Sequence, residues 1–576
     1  MKQQGFLKGS AILLGMVLIT KAVGLAYKIP LTHLLGGSGM AYYSGAFAVF
    51  APLLAATVSG ITASVARQTA EARALGRYAQ LRKLRRTAMT CCCGIGFAAS
   101  LMFTLLSLPL AKAFLPSAEA VWTLAALAPS LLFCSALAVQ RGYYEGLRNM
   151  LPTAGSEIIE TVLRAVLGLA GAYAVFRYAA ADYAATHGCF GQFFRTPEAA
   201  AAAALPYAAA AAILAGSLAT GAAVLSLAVS FRLRGDGITR EMLASDPVTD
   251  PAPKIIRDLF GHSLPIALTA VITTLSALID LLTVPRGLAL SGSEVPPEFV
   301  YGSYTGLALT VCGIVPTLTA MLGKSSLPAL TEASARRDGS GLSAAVSSLV
   351  RVSMLAALPC GAVITALPRE CLQLLFGGRT GEIDCTFRAL SVLGIGCCFI
   401  SVSLPCLSAL QTLRRRLTPI LIMLAGSAVK LVLNLLLIPV PALGITGAAA
   451  AAAASQGIIC LLSVRGLLKL THTRIPGGVL AKPIFAALLG GAAGRLTYDL
   501  TDGFLPAAVS RRLLSPAAIA VSLFVSGLAL WLMDSLPRER IKALAAGACP
   551  WPERGRRQGR APAPNSAASN GVQENR

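Results

Sequence analysis

Four cationic side chains lie inside long apolar segments of this sequence, at positions that membrane insertion disfavours. They are Lys21, Lys28, Arg164 and Lys430. An ionisable group in the hydrocarbon of a bilayer is costly unless it is paired or faces water, so each of the four is a candidate functional residue. Ammonium and guanidinium groups bind carboxylates and phosphates. Their residue types therefore predict a site for an anion.

The first apolar segment carries two of these cations on one helix face. Lys21, Gly24 and Lys28 follow the spacing i, i+3, i+7, which keeps all three on the same side. For Lys28, snorkelling to the outer interface is an equally good interpretation. Lys21 lies too deep for that, so we expect it to face a cavity.

The fifth apolar segment repeats the same spacing with Glu157, Glu160 and Arg164. Glu160 and Arg164 are four residues apart and can form an ion pair along the helix. A purely structural pair is therefore an alternative to a functional role. Glu157 stands nearer the inner end of the segment, where it could simply be solvated.

The seventh apolar segment has a polar stripe despite its apolar composition. Its members follow steps of 4, 3, 4 and 3 along a helix: Thr269, Thr273, Ser276, Asp280 and Thr283. Hydroxyl groups alone often bond their own helix backbone. Because Asp280 is among them, we expect the stripe to form one wall of a water-filled cavity.

The eleventh apolar segment adds Lys430 and Asn434, four residues apart. Polar faces on helices from both halves of the chain are what a central hydrophilic cavity requires. The deep cations outnumber the deep acid Asp280, with Glu160 neutralised by Arg164. A net cationic cavity favours an anionic substrate, such as a pyrophosphate head group.

The amino-acid composition indicates the class of protein in which these residues lie. Of the 576 residues, 55% are apolar and only 13% are charged, and the mean hydropathy is +0.69. Soluble domains carry about 25% charged residues. These values exclude a soluble enzyme, a disordered chain and a collagen-like fibre, and they indicate a polytopic membrane protein.

The apolar segments predict an all-α fold with about fourteen transmembrane helices. Residues 1–232 hold the first six spans, and a cytoplasmic linker follows at 233–260. Residues 261–470 hold six more spans and residues 471–537 the last two, before a disordered cytoplasmic tail at 538–576. Related motifs recur in the same order in the two halves, which predicts two pseudo-symmetric six-helix lobes plus two C-terminal helices. Such repeats usually place a transport site between the halves.

The distribution of basic residues predicts the orientation. Inner segments hold 34 of the 49 Lys and Arg residues when the N-terminus is placed inside, against 11 in outer segments. Cytoplasmic loops collect Lys and Arg, so we expect a cell-membrane protein with both termini in the cytoplasm. The net charge of +23 then needs no nucleic-acid partner. The basic, apolar N-terminus is expected to be a retained first span.

Motifs for other functions do not occur in the sequence. It has no Walker loop, no HExxH and no GxSxG, so we expect neither an enzyme nor a bound cofactor. The 14 cysteines have no metal-ligand spacing and are interpreted as small buried hydrophobic residues. Cys371 and Cys385 bracket one predicted outer loop, and whether they pair is left open.

Three stretches of the sequence resemble a known family. They are Lys21-Ala22-Val23-Gly24-Leu25-Ala26-Tyr27-Lys28-Ile29-Pro30, Arg141-Gly142-Tyr143-Tyr144-Glu145-Gly146-Leu147-Arg148-Asn149, and Leu327-Pro328-Ala329-Leu330-Thr331-Glu332-Ala333. They are similar to the stage V sporulation protein B and polysaccharide-biosynthesis flippases, which belong to the multidrug/oligosaccharidyl-lipid/polysaccharide flippase superfamily and are related to lipid II flippases. The resemblance runs from about residue 5 to residue 535.

The resemblance implies two six-helix lobes around a V-shaped cavity, plus two further helices. It also implies alternating access that carries an undecaprenyl-diphosphate-linked saccharide to the outer leaflet. Lys21 stands where lipid II flippases have a basic cavity residue, usually Arg in these relatives. A lysine lacks the bidentate fork of arginine for phosphate. Tyr27 stands at the place of another cavity arginine.

The leading hypothesis is therefore a flippase for a lipid-linked cell-wall precursor, in one version for spore cortex peptidoglycan. Lys21 and Arg164, with Lys28 or Lys430, would hold the diphosphate, and Asp280 and Glu160 would couple cavity charge to lobe movement. A cation-coupled multidrug exporter of the same superfamily is the second hypothesis. A non-transporting membrane scaffold for wall-synthesis enzymes is the third.

Overall fold

The computed structural model describes residues 6–115, 118–239, 242–243, 249–292, 294–336, 338–413, 417–473, 477–502 and 507–533. The described residues are almost entirely helical. The predicted cytoplasmic tail at 538–576 lies outside them, and so does part of the predicted linker.

Among the described residues up to Arg234, the first half of the chain forms five α-helices and one short hairpin. These elements are α1 (Phe6–Ala74), α2 (Tyr78–Phe114), α3 (Val121–Gly146), α4 (Met150–Thr186), β1 (Gly188–Cys189), β2 (Gln192–Phe193) and α5 (Pro197–Arg234), with a 3₁₀ turn at Ala118–Ala120. The two strands pair antiparallel.

The second half begins with α6 and contains a broken helix. Its elements are α6 (Ala252–Leu290), α7 (Pro297–Ser303), a π-helical segment (Tyr304–Ala308), α8 (Leu309–Cys312), α9 (Ile314–Ala335), α10 (Gly339–Ala366), α11 (Pro368–Phe376), α12 (Thr380–Thr412), α13 (Leu417–Leu437), α14 (Gly444–Thr471), α15 (Gly477–Asp502) and α16 (Ala507–Leu532).

Helix α1 contains two predicted spans. Its 69 residues would extend roughly 100 Å at 1.5 Å per residue, about three times the thickness of the bilayer hydrocarbon. The helix breaks at Gly36, where φ is 65° and ψ is −173°, a conformation that glycine adopts without a steric penalty. The apolar residues of the sequence predict two separate spans here, at 9–30 and 42–66, and the break lies between them.

Long apolar helices confirm the all-α polytopic membrane fold. Within the described ranges, 11 helices are long and apolar enough to cross a membrane, or 12 if the pair bent by 41° after Cys312 is one span. In this count α1 is one helix, and α15, which lies in the region of the last two predicted spans, is not included. The number of fourteen spans therefore stays a prediction.

The packing of α1 brings the two halves together. It packs against α3 and α4 in the first half and against α6 and α7 in the second half. Within the second half, α13 packs against α6, as α4 packs against α1. The two halves therefore have corresponding helix contacts, which agrees with the internal repeat that the sequence predicts.

The two halves approach each other closely at Gly302, because this residue has no side chain. A Cβ added at Gly302 would lie 1.8 Å from the carbonyl oxygen of Gly37 and 2.6 Å from the amide nitrogen of Ala41. The backbones of α7 and α1 therefore touch at this point, close to the break at Gly36. In the same region, Arg379 donates a hydrogen bond to the carbonyl oxygen of His33.

We expect Gly302→Ala to destabilise the protein by about 1–3 kcal/mol, the usual cost of overpacking. The added methyl group has no space against the α1 backbone. Gly261→Ala is the matched control, because a Cβ at Gly261 in α6 would meet nothing within 4 Å and alanine favours the helix. Thermal unfolding of the two purified variants checks this, and equal midpoints would contradict the close contact.

The described residues of the segment between the halves contact the first two turns of α2. Asp236 lies 3.6 Å from Arg82, and the Asp250 backbone amide donates a hydrogen bond of 2.8 Å to Gln80. Lys254 donates a hydrogen bond of 2.8 Å to Asp250, which holds the pKa of the Asp250 carboxyl below its usual range. Because α6 begins at Ala252, the last nine residues of the predicted linker are helical.

The cysteines in the described part of the chain are all free thiols. Cys371 is buried and Cys385 is half-buried, and the two are not joined. The structure therefore gives no support to a disulfide between them.

Candidate functional site

A cavity of about 800 Å³ lies between the two halves. Helices α1, α3 and α4 line it from one side, and α6, α7, the π-helical segment and α8 line it from the other. Its charged lining residues are Lys21, Lys28, Arg141, Glu157, Glu160, Arg164 and Asp280. The volume is within the range of about 300–1,000 Å³ that is typical of ligand sites.

Six of the ten site residues predicted from the sequence line this cavity. They are Lys21, Lys28, Glu157, Glu160, Arg164 and Asp280. The other four, Thr273, Ser276, Lys430 and Asn434, are not among its lining residues. The structure thus brings together residues of α1, α4 and α6 that are up to 259 positions apart in the sequence.

The two lysines of α1 face the cavity without an acidic partner. Lys21 is exposed, and no ion pair joins Lys21 or Lys28 to a carboxylate within the described ranges. The Lys28 ammonium lies 3.4 Å from the carbonyl oxygen of Thr305 in the π-helical segment. Lys28 therefore reaches across to the second half of the chain. Single-turn π-helical segments often occur at functional sites.

The Glu160 carboxylate holds two arginines. One oxygen accepts a hydrogen bond of 2.6 Å from Arg164 and another of 3.0 Å from Thr220. The other oxygen accepts a hydrogen bond of 2.9 Å from Arg141. The predicted pair of Glu160 and Arg164 is thus part of a larger cluster that joins α3, α4 and α5. Glu157 belongs to its edge, 3.8 Å from Arg141.

Arg141 is a site residue that the sequence reasoning missed. It lies inside the fourth predicted span, yet its place near the inner end of that span led to its being counted as a loop cation. Its position within the span, in a stretch that carries the family resemblance, is the signal that could have identified it. In the structure it also donates a hydrogen bond of 3.1 Å to Ser156.

Lys430 forms a buried ion pair and not a cavity surface. Its ammonium lies 2.6 Å from the Asp280 carboxylate, and only 4% of the residue is exposed. Asn434 donates hydrogen bonds of 3.2 Å to Asp280 and 2.8 Å to Thr283. Asp280 is the counter-charge within reach of Lys430, so the lysine turns towards α6. The structure therefore places Lys430 and Asn434 at the contact of α13 with α6 and not in the lining of the cavity, and their part in substrate binding stays a prediction.

The polar stripe of α6 faces mainly towards α13. The Ser276 hydroxyl accepts a hydrogen bond of 2.8 Å from Lys430, and Thr283 accepts one from Asn434. The Thr273 hydroxyl donates to the carbonyl oxygen of Ala270 in its own helix. Of these stripe residues, only Asp280 lines the cavity. Ser276, Asp280 and Thr283 thus form a helix-packing surface against α13, because a buried lysine on α13 needs oxygen partners.

The cavity carries a cationic surplus. Its lining contains four cations and three acids, and Lys430 adds a fifth cation behind Asp280. The formal charge of the group is therefore +2. Asp280 is paired with Lys430, and Glu157 and Glu160 together balance the charges of Arg141 and Arg164. The surplus therefore lies on Lys21 and Lys28. The site is suited to an anion with more than one negative charge.

The comparison with known families agrees with this geometry. The profile of the family described as "Lipid II flippase MurJ" matches residues 201–506, more than half of the chain. The chain belongs to the MurJ family. The profile described as "Polysaccharide biosynthesis protein" matches residues 6–188. Together they confirm the resemblance found in the sequence motifs, and they identify a multi-pass membrane protein of a transport family that is not an enzyme.

Two proteins of Bacillus subtilis (strain 168) are similar to this MurJ family member along most of their length. Stage V sporulation protein B is 24% identical over 468 residues, which is 80% of this chain and 83% of that protein. Lipid II flippase MurJ is 19% identical over 454 residues, which is 75% of this chain and 77% of that protein.

Solved structures show the same fold. Lipid II flippase MurJ in an inward closed conformation superposes with a TM-score of 0.59 at 12% identity, covering 90% of this chain and 98% of that one. An inward-facing multidrug resistance MATE family transporter gives 0.58 at 13% identity, covering 80% and 98%. At these identities the likeness concerns the fold alone.

Proposed function

We propose that this protein is a flippase that moves an undecaprenyl-diphosphate-linked saccharide across the cytoplasmic membrane by alternating access. Two observations support the proposal: the chain belongs to the MurJ family, and its central cavity is cationic. The substrate would bring two adjacent phosphates into the cavity, while its polyprenyl chain stays in the bilayer.

The observation that carries the proposal is the unpaired state of Lys21 and Lys28. Their Cα atoms are two helical turns apart, about 10 Å along α1, and both side chains line one cavity. Unpaired cations in a membrane are retained where a charged ligand compensates them. A diphosphate group between the two ammonium groups supplies that compensation.

The remaining site residues take different roles in the proposal. Arg164 joins the lysines in binding the diphosphate, because it lines the cavity and keeps 40% of its side chain exposed. Asp280 responds to the charge in the cavity, and its ion pair with Lys430 transmits this response to α13. Lys430 and Asn434 thus support Asp280 and do not touch the substrate.

The proposal also covers the orientation of the protein in the membrane, its cellular role and its partners. Both termini would lie in the cytoplasm, as the 34 basic residues of the predicted inner segments favour. The similarity to stage V sporulation protein B supports a role in making the spore cortex. The bilayer and the enzymes that build and use the lipid-linked precursor would be its partners.

The exporter hypothesis has less support from the site. A cation-coupled exporter needs an acid free to exchange a cation, whereas Asp280 holds Lys430 at 2.6 Å and Glu160 holds two arginines. The MATE transporters share the fold, and this likeness does not select a substrate.

Depletion of the protein in its host cell tests the proposed function. We expect an undecaprenyl-diphosphate-linked saccharide to accumulate on the cytoplasmic side, which mass spectrometry of extracted lipids identifies and a membrane-impermeant probe locates. Unchanged precursor levels together with new sensitivity to cationic dyes would contradict the flippase and favour the exporter.

A further inference from the structure

We infer that Glu160 is an intramolecular counter-anion for Arg164. The substrate displaces the Glu160 carboxylate from Arg164 when it binds, and Glu160 pairs with Arg164 again when the substrate leaves. The inference rests on the proposed function and adds a residue that determines how tightly the cavity retains its anion. It starts from the unequal way in which Glu160 holds its two arginines.

Arg141 is the fixed member of the cluster. Only 17% of its side chain is exposed, and it donates to both Glu160 and Ser156, while Glu157 lies 3.8 Å away. With three partners on α4, this guanidinium holds the carboxylate in place. Glu160 thereby stays at the cavity wall whether or not Arg164 is bound to it.

Arg164 is the exchangeable member. Its bond to Glu160 uses one terminal nitrogen, and its buried Nε has no hydrogen-bond partner among the residues that the structure describes. A guanidinium has five N–H donors in a planar fork, so most of its capacity is unused. A phosphate oxygen offers the same charge-assisted bond as the carboxylate does, and the cavity side of Arg164 is open to it.

The exchange follows from the charge balance. Glu157 lies 3.8 Å from Arg141 and balances one arginine, so in the absence of substrate Glu160 lowers the net charge of the cluster from +1 to zero. An incoming diphosphate, drawn by Lys21 and Lys28, competes with Glu160 for Arg164. Because the carboxylate remains nearby, it also competes during release and keeps the anion from binding too tightly. Tight ground-state binding does not speed turnover.

Glu160→Gln removes the competitor and nearly preserves the shape of the side chain. We expect the purified full-length variant to bind inorganic pyrophosphate about tenfold more tightly than the unsubstituted protein, measured by isothermal titration calorimetry at fixed ionic strength. Glu332→Gln is the matched control, because Glu332 forms the same i, i+4 pair with Arg336 at 2.7 Å on an exposed surface. This control should leave pyrophosphate affinity unchanged.

Two results separate this inference from the proposed function. Pyrophosphate binding that Glu160→Gln leaves equal or weaker, in protein with an unchanged unfolding midpoint, overturns the counter-anion role alone. Failure of the unsubstituted protein and the variant alike to bind pyrophosphate overturns both. If Glu160→Gln does not fold, Arg141→Gln with Glu160→Gln should bind pyrophosphate more tightly than Arg141→Gln alone, and the opposite order overturns the inference.

Discussion

Replacing Lys21 and Lys28 together by alanine should reduce transport of the lipid-linked precursor at least a hundredfold. The double variant lowers the formal charge of the site from +2 to zero and removes both unpaired cations of the cavity wall. A hydrogen bond to a charged group contributes about 1.5–3 kcal/mol, and 1.4 kcal/mol corresponds to a factor of ten. Each single variant should therefore lose about tenfold or more.

Rescue of a depleted cell by each variant, at equal protein level in the membrane, measures this effect. Lys21→Arg should retain transport, because it keeps the charge and adds the bidentate fork for phosphate. Lys469→Ala removes an exposed cation from the last turn of α14, outside the cavity, and should rescue fully. Full rescue by the Lys21 and Lys28 double variant would contradict the role given to α1.

Breaking the pair between Asp280 and Lys430 should destabilise the fold more than any surface change. Removing one partner of a buried ion pair leaves an uncompensated charge and costs about 3–5 kcal/mol. We expect this loss for Asp280→Asn and for Lys430→Met alike. The double variant should recover most of the stability, because it leaves no buried charge at the contact of α6 with α13.

Unfolding of the purified variants in detergent measures these differences. The exposed pair of Glu332 and Arg336 provides the reference, since such pairs contribute at most about 1 kcal/mol. If Lys430→Met left stability unchanged and lowered transport alone, Lys430 would bind the substrate directly, as the sequence first suggested.

Much of the fold followed from composition and periodicity. Few charges and long apolar segments require helices that cross a membrane, because only helices and closed barrels satisfy the backbone there. The break in α1 was harder to predict from the sequence than the helices themselves. Gly36 lies in a glycine-containing stretch between two predicted spans, but the sequence did not show that one nearly continuous helix runs through it.

The sequence predicts those parts of the site whose residues lie close together along one helix. Lys21 with Lys28 and Glu160 with Arg164 follow helix spacing, and the structure places all four in one cavity. Contacts between segments that are distant in the sequence could not be predicted from helix spacing. The partner of Lys430 is 150 residues away, and the partner of Arg141 is on another helix, so spacing along one helix shows neither pair.

Translocation measured in proteoliposomes tests the central claim most directly. The purified protein would be given three fluorescent lipids that carry a diphosphate-linked saccharide, a monophosphate-linked saccharide or a zwitterionic head group, with movement followed by quenching of the outer leaflet. We predict that the diphosphate-linked lipid moves fastest and that the Lys21 and Lys28 double variant abolishes its advantage. Equal rates for all three lipids, or a diphosphate advantage that survives the double variant, would contradict the account.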